Sequence, residues 1–118
     1  MSTEVEVSRL AATMADYDFA YLLTVSDDQR THAVAVSPGA SGDELTFALG
    51  LGRRTRANLA QRPDVTLLWP PRDPTGYSLI ADGRVSVVDD VATFVPDHAV
   101  LHRPAAGAHD CVPVTEEA

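Results

Sequence analysis

The chain has no lysine. All nine of its basic residues are arginine, set against seventeen acids, for a formal net charge of −8 over 118 residues. So acidic a balance excludes non-specific binding to nucleic acid or to anionic lipid, because both need a broad basic face. Cysteine occurs once, at Cys111, so no internal disulfide can form, which fits a reducing compartment. No apolar run approaches the ~20 residues of a membrane-spanning helix. The opening MSTEVEVSRL is acidic where a secretory signal would be basic. A cytoplasmic protein without nucleic-acid or membrane partners is therefore expected. A chain of this length forms one domain, 1–118, with a single core and little volume for a catalytic cavity of its own. A pocket for a small-molecule substrate is more easily built between two chains.

What is present is mostly strand. Val7, Leu10, Ala11 and Met14 are spaced to cover one face of a first helix, from about Val5 to Ala15. The period then changes. Phe19 to Ser26, the polar turn DDQR and Thr31 to Pro38 read as an antiparallel hairpin, followed by a PGASGD loop. A strand from Glu44 to Gly50, a helix from Arg53 to Arg62 stopped by Pro63, and a strand from Asp64 to Pro70 come next. PPRDPTG, with three prolines, is irregular. A long strand from Tyr77 to Asp90 carries Asp82-Gly83, a bend or bulge signal. Beyond it a short strand at Val91 to Val95, a turn of helix at Asp97 to Leu101 and an extended CVPV are expected, with 113–118 frayed. Six short strands and two or three short helices give a mainly β fold closing as an antiparallel barrel.

Charge is concentrated in one place. Between Leu45 and Pro63 there are four arginines and no acid, and Arg53, Arg54 and Arg56 crowd the first turn of the second helix. Free backbone N–H groups and the helix dipole already favour a negative partner there, so cations are at the wrong end. A bound anion, phosphate above all, would relieve the mismatch. Solvated or surface-paired arginines are the competing reading.

The order of these elements carries a resemblance. FAYLLTVSDDQRTHAVAVSP followed by ELTFALGLGRRTRANLAQRPDVTLLWP resembles the FMN-binding split barrel of the pyridoxamine 5′-phosphate oxidase-like superfamily, its small bacterial members in particular. The likeness runs from about Phe19 to Val87. It implies an antiparallel, Greek-key-like split barrel working as a homodimer, with FMN in the groove between two chains. Aligned on Pro63, Arg54 falls on the phosphate-binding arginine and Thr55 on the position usually held by lysine, leaving Arg53 or Arg56 to make up the charge, or a cofactor held weakly or not at all. Val34, Ala35, Val36 and Ser37 match the strand whose backbone lies along the isoalloxazine ring. Ala48 and Leu49 match positions just before the phosphate turn, and Ser78 matches a polar residue reaching the flavin from the partner chain.

The resemblance implies an oxidoreductase acting by hydride transfer on a small organic substrate. The alternatives are a non-catalytic protein holding flavin, deazaflavin or haem, or a split barrel without cofactor. FMN is favoured because a compact arginine cluster suits one terminal phosphate, though the acidic tail of a deazaflavin coenzyme would be drawn to the same charges. True pyridoxamine 5′-phosphate oxidase closes with an arginine-rich C-terminal segment; here the chain ends VPVTEEA, with Arg103 its last basic residue.

Other features carry less. His98, His102, His109 and Cys111 match no zinc spacing, so no metal is assigned, and a helical pair between His98 and His102 would need a helix there. Gly50-Leu51-Gly52 lacks the third glycine and the βαβ setting of a dinucleotide fingerprint. Cys111, without a positioned partner, is expected to be inert. Trp69 is expected in the core or at the dimer interface.

Overall fold

The computed structural model describes residues 1–50 and 52–104. His109, Cys111, the CVPV segment and the 113–118 tail lie outside the described residues. The elements are β1 (Ser2–Val5), a 3-10 turn (Val7–Arg9), α1 (Leu10–Met14), β2 (Ala20–Val25), β3 (Thr31–Val36), β4 (Gly39–Ser41), β5 (Glu44–Ala48), α2 (Arg53–Gln61), β6 (Asp64–Trp69), β7 (Ser78–Val88) and β8 (Val91–His102). Every strand pair is antiparallel, in the order β3-β2-β6-β7-β8-β5-β4, with β1 beside β8. This is the mainly β split barrel that the sequence suggests, with eight strands among the described residues where about six were expected.

Strand β8 organises the sheet. One edge pairs with β7 over its whole length; the other is divided, with Val91 to Phe94 on β5 and Ala99 to His102 on β1. The expected helical turn at Asp97 to Leu101 is absent because this stretch is the second half of β8. Pro96 does not break the strand, since it stands opposite Gly83, where the β7–β8 register shifts. At a bulge a missing backbone donor costs little. The first helix is shorter than expected because Ser2–Val5 is drawn into the sheet as β1, and part of the PGASGD loop pairs with β5 as β4.

Alternation along the strands fills the interior. Leu22, Leu45, Phe47, Leu67, Trp69, Leu79, Val85 and Phe94 point inward with Leu10 of α1 and Leu59 of α2. The outer face carries a second apolar row, in register across five strands: Ala35, Tyr21, Leu68, Ile80, Val100. Among the described residues no helix covers this row; Tyr21 and Ala35 are exposed and the other three half-buried.

Gly83 decides whether the long ribbon can bend. A Cβ there would lie 2.4 Å from the Val95 carbonyl oxygen and 2.6 Å from a ring carbon of Phe94, which is fully buried. Backbone and a core ring cannot both give way. Gly83→Ala is therefore expected to cost about 2 to 3 kcal/mol, lowering the melting temperature by roughly 10 °C or more. Gly39→Ala, with no atom within 4 Å of the new methyl, should stay within about 0.5 kcal/mol of the parent. Equal melting temperatures for the two variants would show that the bulge tolerates a side chain.

Candidate functional site

Helix α2 begins abruptly. Gly50, at φ +62°, turns the chain out of β5, and Gly52 takes the N-cap position without a side-chain cap or any acid in the first turn. Three of its side chains, Thr55, Asn58 and Leu59, face inward at helical spacing. The buried Asn58 amide donates to the Thr24 hydroxyl at 3.0 Å and pins the helix to β2.

The four arginines divide into two kinds. Arg56 donates to the carbonyls of Asp89 (3.0 Å) and Gly50 (3.1 Å) and pairs with Asp90, clamping the β7–β8 turn to the helix start. Arg62 pairs with Asp27 at 2.8 Å, holding the far end of α2 to the β2–β3 turn. Both have acceptors within the chain itself. Arg53 and Arg54 are exposed, and among the described residues no carboxylate lies within 4.0 Å of either.

Arg54 borders a cavity of about 440 Å³ between α2 and the β2–β3 turn, together with Asn58, Ser26, Asp27, Asp28, Arg30 and His32. Its acids are engaged: Asp27 by Arg62, and Asp28 by Arg30 at 3.5 Å. The Ser26 hydroxyl holds the Asp28 carboxyl below the usual aspartate range, against desolvation and with smaller help from backbone N–H groups and the Arg54 charge. Two carboxylates thus meet three guanidiniums, those of Arg30, Arg54 and Arg62, leaving one positive charge over. An anion of modest size fits that balance.

The other expected site residues are placed as follows. Val34 is half-buried, Val36 is in the core, and Ala35 and Ser37 are exposed along β3, an edge strand whose outer backbone groups have no strand partner among the described residues. The same strand starts at the cavity, through Thr31 and His32. Ala48 is exposed and Leu49 half-buried where β5 runs into α2. Thr55 departs from expectation: it is 2% exposed and its hydroxyl has no hydrogen-bond partner, so a side chain there starts inside the core. Ser78 opens β7, which is separated from β3 by β2 and β6. Three strand spacings of about 4.8 Å put it roughly 14 Å away within one chain. His32 and Asn58 belong to the cavity and were not found by sequence reasoning; a shared inward face with Thr55 was the available signal for Asn58.

The described histidines do not converge. His98 and His102 sit on extended β8, where four residues span about 13 Å. His98 lies between Glu4 (3.4 Å) and Asp82 (3.6 Å), and His102 Nδ1 is 2.8 Å from the Ser2 hydroxyl. Among the described residues no group of three metal-ligating side chains forms.

A protein of Mycobacterium bovis, the uncharacterised Mb0449c, is 48% identical over 133 aligned positions, covering 92% of this chain and 94% of its own. The chain belongs to this mycobacterial family. No protein-family model matches the sequence. Among solved structures, a pyridoxamine 5′-phosphate oxidase-like protein of Listeria innocua superposes with a TM-score of 0.64 at 16% identity, covering 80% of this chain and 96% of its own. An F420 reductase gives 0.63 at 15%, covering 80% and 97%. A FAD-binding protein of Mycobacterium smegmatis gives 0.65 at 13%, covering 87% and 100%. The fold of the family is thus the pyridoxamine 5′-phosphate oxidase-like split barrel. No helix among the described residues of this family member is long and apolar enough to cross a membrane.

The division of the arginines can be measured without a ligand. Arg56→Ala should cost the cofactor-free protein about 1 kcal/mol, because the carbonyls of Asp89 and Gly50 lose a charged donor. Arg54→Ala should leave stability unchanged or raise it by about a few tenths of a kcal/mol, by removing a cation from the positive end of the helix dipole. Thr55→Val, which removes an orphaned hydroxyl at constant shape, should stabilise by about 1 kcal/mol. Denaturant titration checks all three; a destabilised Arg54→Ala would mean that this arginine is structural.

Proposed function

We propose that two copies of the chain bind FMN, with its phosphate at Arg54 and Arg53 on the uncapped start of α2, and act as an oxidoreductase on a small organic molecule in the cytoplasm. The observation that carries this reading is the exposed Arg54 beside a cavity, without a carboxylate partner among the described residues, while its neighbours Arg56 and Arg62 are both engaged. The residues present fit such a group. Arg54 supplies a charged, fork-shaped donor to phosphate, and the N–H groups of Arg53, Arg54 and Thr55 supply the dipole end.

From the cavity, β3 leads away as a free edge. His32 to Ser37 spans about 17 Å of strand, enough for a ribityl chain and a tricyclic ring laid along the backbone of Val34 to Ser37. Ala48 and Leu49 line the same end of the barrel. A flavin bound there supplies hydride transfer, while the protein supplies position and electrostatics. No side chain need act as acid or base.

Dimerisation follows from the outer row of Ala35, Tyr21, Leu68, Ile80 and Val100. An uncovered apolar sheet face of this kind is buried when a second copy packs on it. Ser78 lies on the same face, too far from β3 to share a ligand within one chain, and from a partner it could reach one. Leu68→Glu is therefore expected to give a monomer by light scattering and to weaken FMN binding with it. A dimer that survives this charge would place the interface elsewhere.

Titration of FMN against riboflavin, which lacks the phosphate, tests the anion site. The parent should prefer FMN. Arg54→Ala should weaken FMN at least about ten-fold, the effect of one charge-assisted contact of about 1.5 kcal/mol or more, and leave riboflavin unchanged. Equal loss for both ligands, or no loss, overturns the assignment. A deazaflavin coenzyme run in parallel decides the second reading, which the F420 reductase of the same fold makes worth measuring.

A further inference from the structure

We infer that a second cleft, at the opposite end of β3 from the arginines, is a binding site for a small uncharged aromatic molecule. It has a volume of about 240 Å³ and lies between α1 and the strand ends, walled by Met14, Tyr17, Phe19, Pro38 and Trp69, with Ser37 at one side. The volume is below the roughly 300 Å³ at which pockets for drug-sized ligands begin. One substituted ring fills it.

The chemistry of the wall selects charge. Asp18 is the one carboxylate on the lining, and it stands exposed, bound to Arg72 Nε at 2.8 Å. The Tyr17 hydroxyl donates to the Tyr77 carbonyl at 2.8 Å, and burial, with a smaller contribution from Asp16, pushes its pKa up, so the ring stays neutral. No guanidinium lines the cleft, so an anionic ligand would meet aromatic and aliphatic surface beside a carboxylate. A neutral ring meets edges and faces suited to stacking. Ser37, whose hydroxyl makes no hydrogen bond among the described residues, can donate to a carbonyl-type acceptor on it. Polar orientation by one or two groups in an apolar cleft is the usual build of a small-molecule site.

Position gives the cleft its use. This step rests on the reading of β3 as the strand beside the ring: Ser37 directly follows the last residue of that strand, Val36, and lines this cleft, so a molecule held here lies at the ring end of the ligand groove. The substrate class is then a neutral aromatic compound bearing a carbonyl or similar acceptor.

Trp69 is the only tryptophan of the chain, and it lies against the cleft with 2% of its surface exposed, so its indole N–H resonance in ¹⁵N-labelled, cofactor-free protein reports a change in that environment when the cleft fills. Acetophenone, as the neutral probe, is expected to shift this signal saturably, with benzoate at least ten-fold weaker. Ala15→Leu, on the exposed rim residue of the cleft, is expected to abolish the shift; should it be misfolded by circular dichroism, Ala11→Leu takes its place. No saturable shift, an undiminished shift in the blocked variant, or benzoate binding as well as acetophenone each overturns the proposal. Because flavin is absent, these outcomes are independent of the FMN titration. A positive result here with a negative one there would leave the cleft standing and remove only its link to the ring.

Discussion

The ribbon of β7 and β8 is the constraint on which the rest of the structure depends. Eleven and twelve residues long, it is paired with every part of the sheet except the β2–β3 hairpin and β4. A straight ribbon of that length could not serve both halves of a barrel. The shift at Asp82/Gly83 bends it, and the bend is possible because Gly83 leaves room for the Phe94 ring and the Val95 carbonyl. Pro96 sits opposite and accepts the local loss of pairing. With the bend in place, β5 closes on one half of β8 and β1 on the other, so each helix is left to plug one open end.

Helix α2 shows how position converts one residue type into different roles. Four arginines share 10 residues of sequence, yet two are held by carboxylates arriving from 34 and 35 residues away. Arg56 ties down the β7–β8 turn and Arg62 the β2–β3 turn. Both fastenings leave the outer side of the first helical turn free, where Arg53 and Arg54 project. The arrangement keeps the mismatch between cations and helix dipole at a place that ligand can reach, while the cations needed for structure are satisfied by acids. Thr55 completes the pattern from inside: a position that faces the core cannot also offer a charge to solvent.

The two ends of β3 differ for equally simple reasons. At its start the strand meets the polar β2–β3 turn, so charge gathers there. At its end it meets α1, the start of β2, which Phe19 precedes, and the end of β6, which carries Trp69, so apolar surface gathers there. Because β3 is an edge, the backbone between the two clefts stays open, and the sheet face beside it is the one that no helix covers.

Much of the fold was legible in the residues. The hairpin, β5, α2, β6 and the long bulged strand follow from strand alternation, helix spacing and the punctuation of Gly and Pro, which act over a few neighbours. Strands β1 and β4 were not legible, because three or four residues carry no readable period and become strand only where a long partner pairs with them. The second half of β8 was misread as helical because Pro96 and two histidines interrupt its alternation, and only the bulge across from Pro96 makes a proline acceptable there. In the site, sequence alone determined that positive charge is concentrated on one helical turn of an acidic chain. Which arginines are paired with carboxylates among the described residues, that Thr55 turns inward, and that His32 and Asn58 share the Arg54 cavity were decided by tertiary structure. Those outcomes depend on which distant carboxylates and strands the bent ribbon brings alongside α2, and no local pattern contains that information.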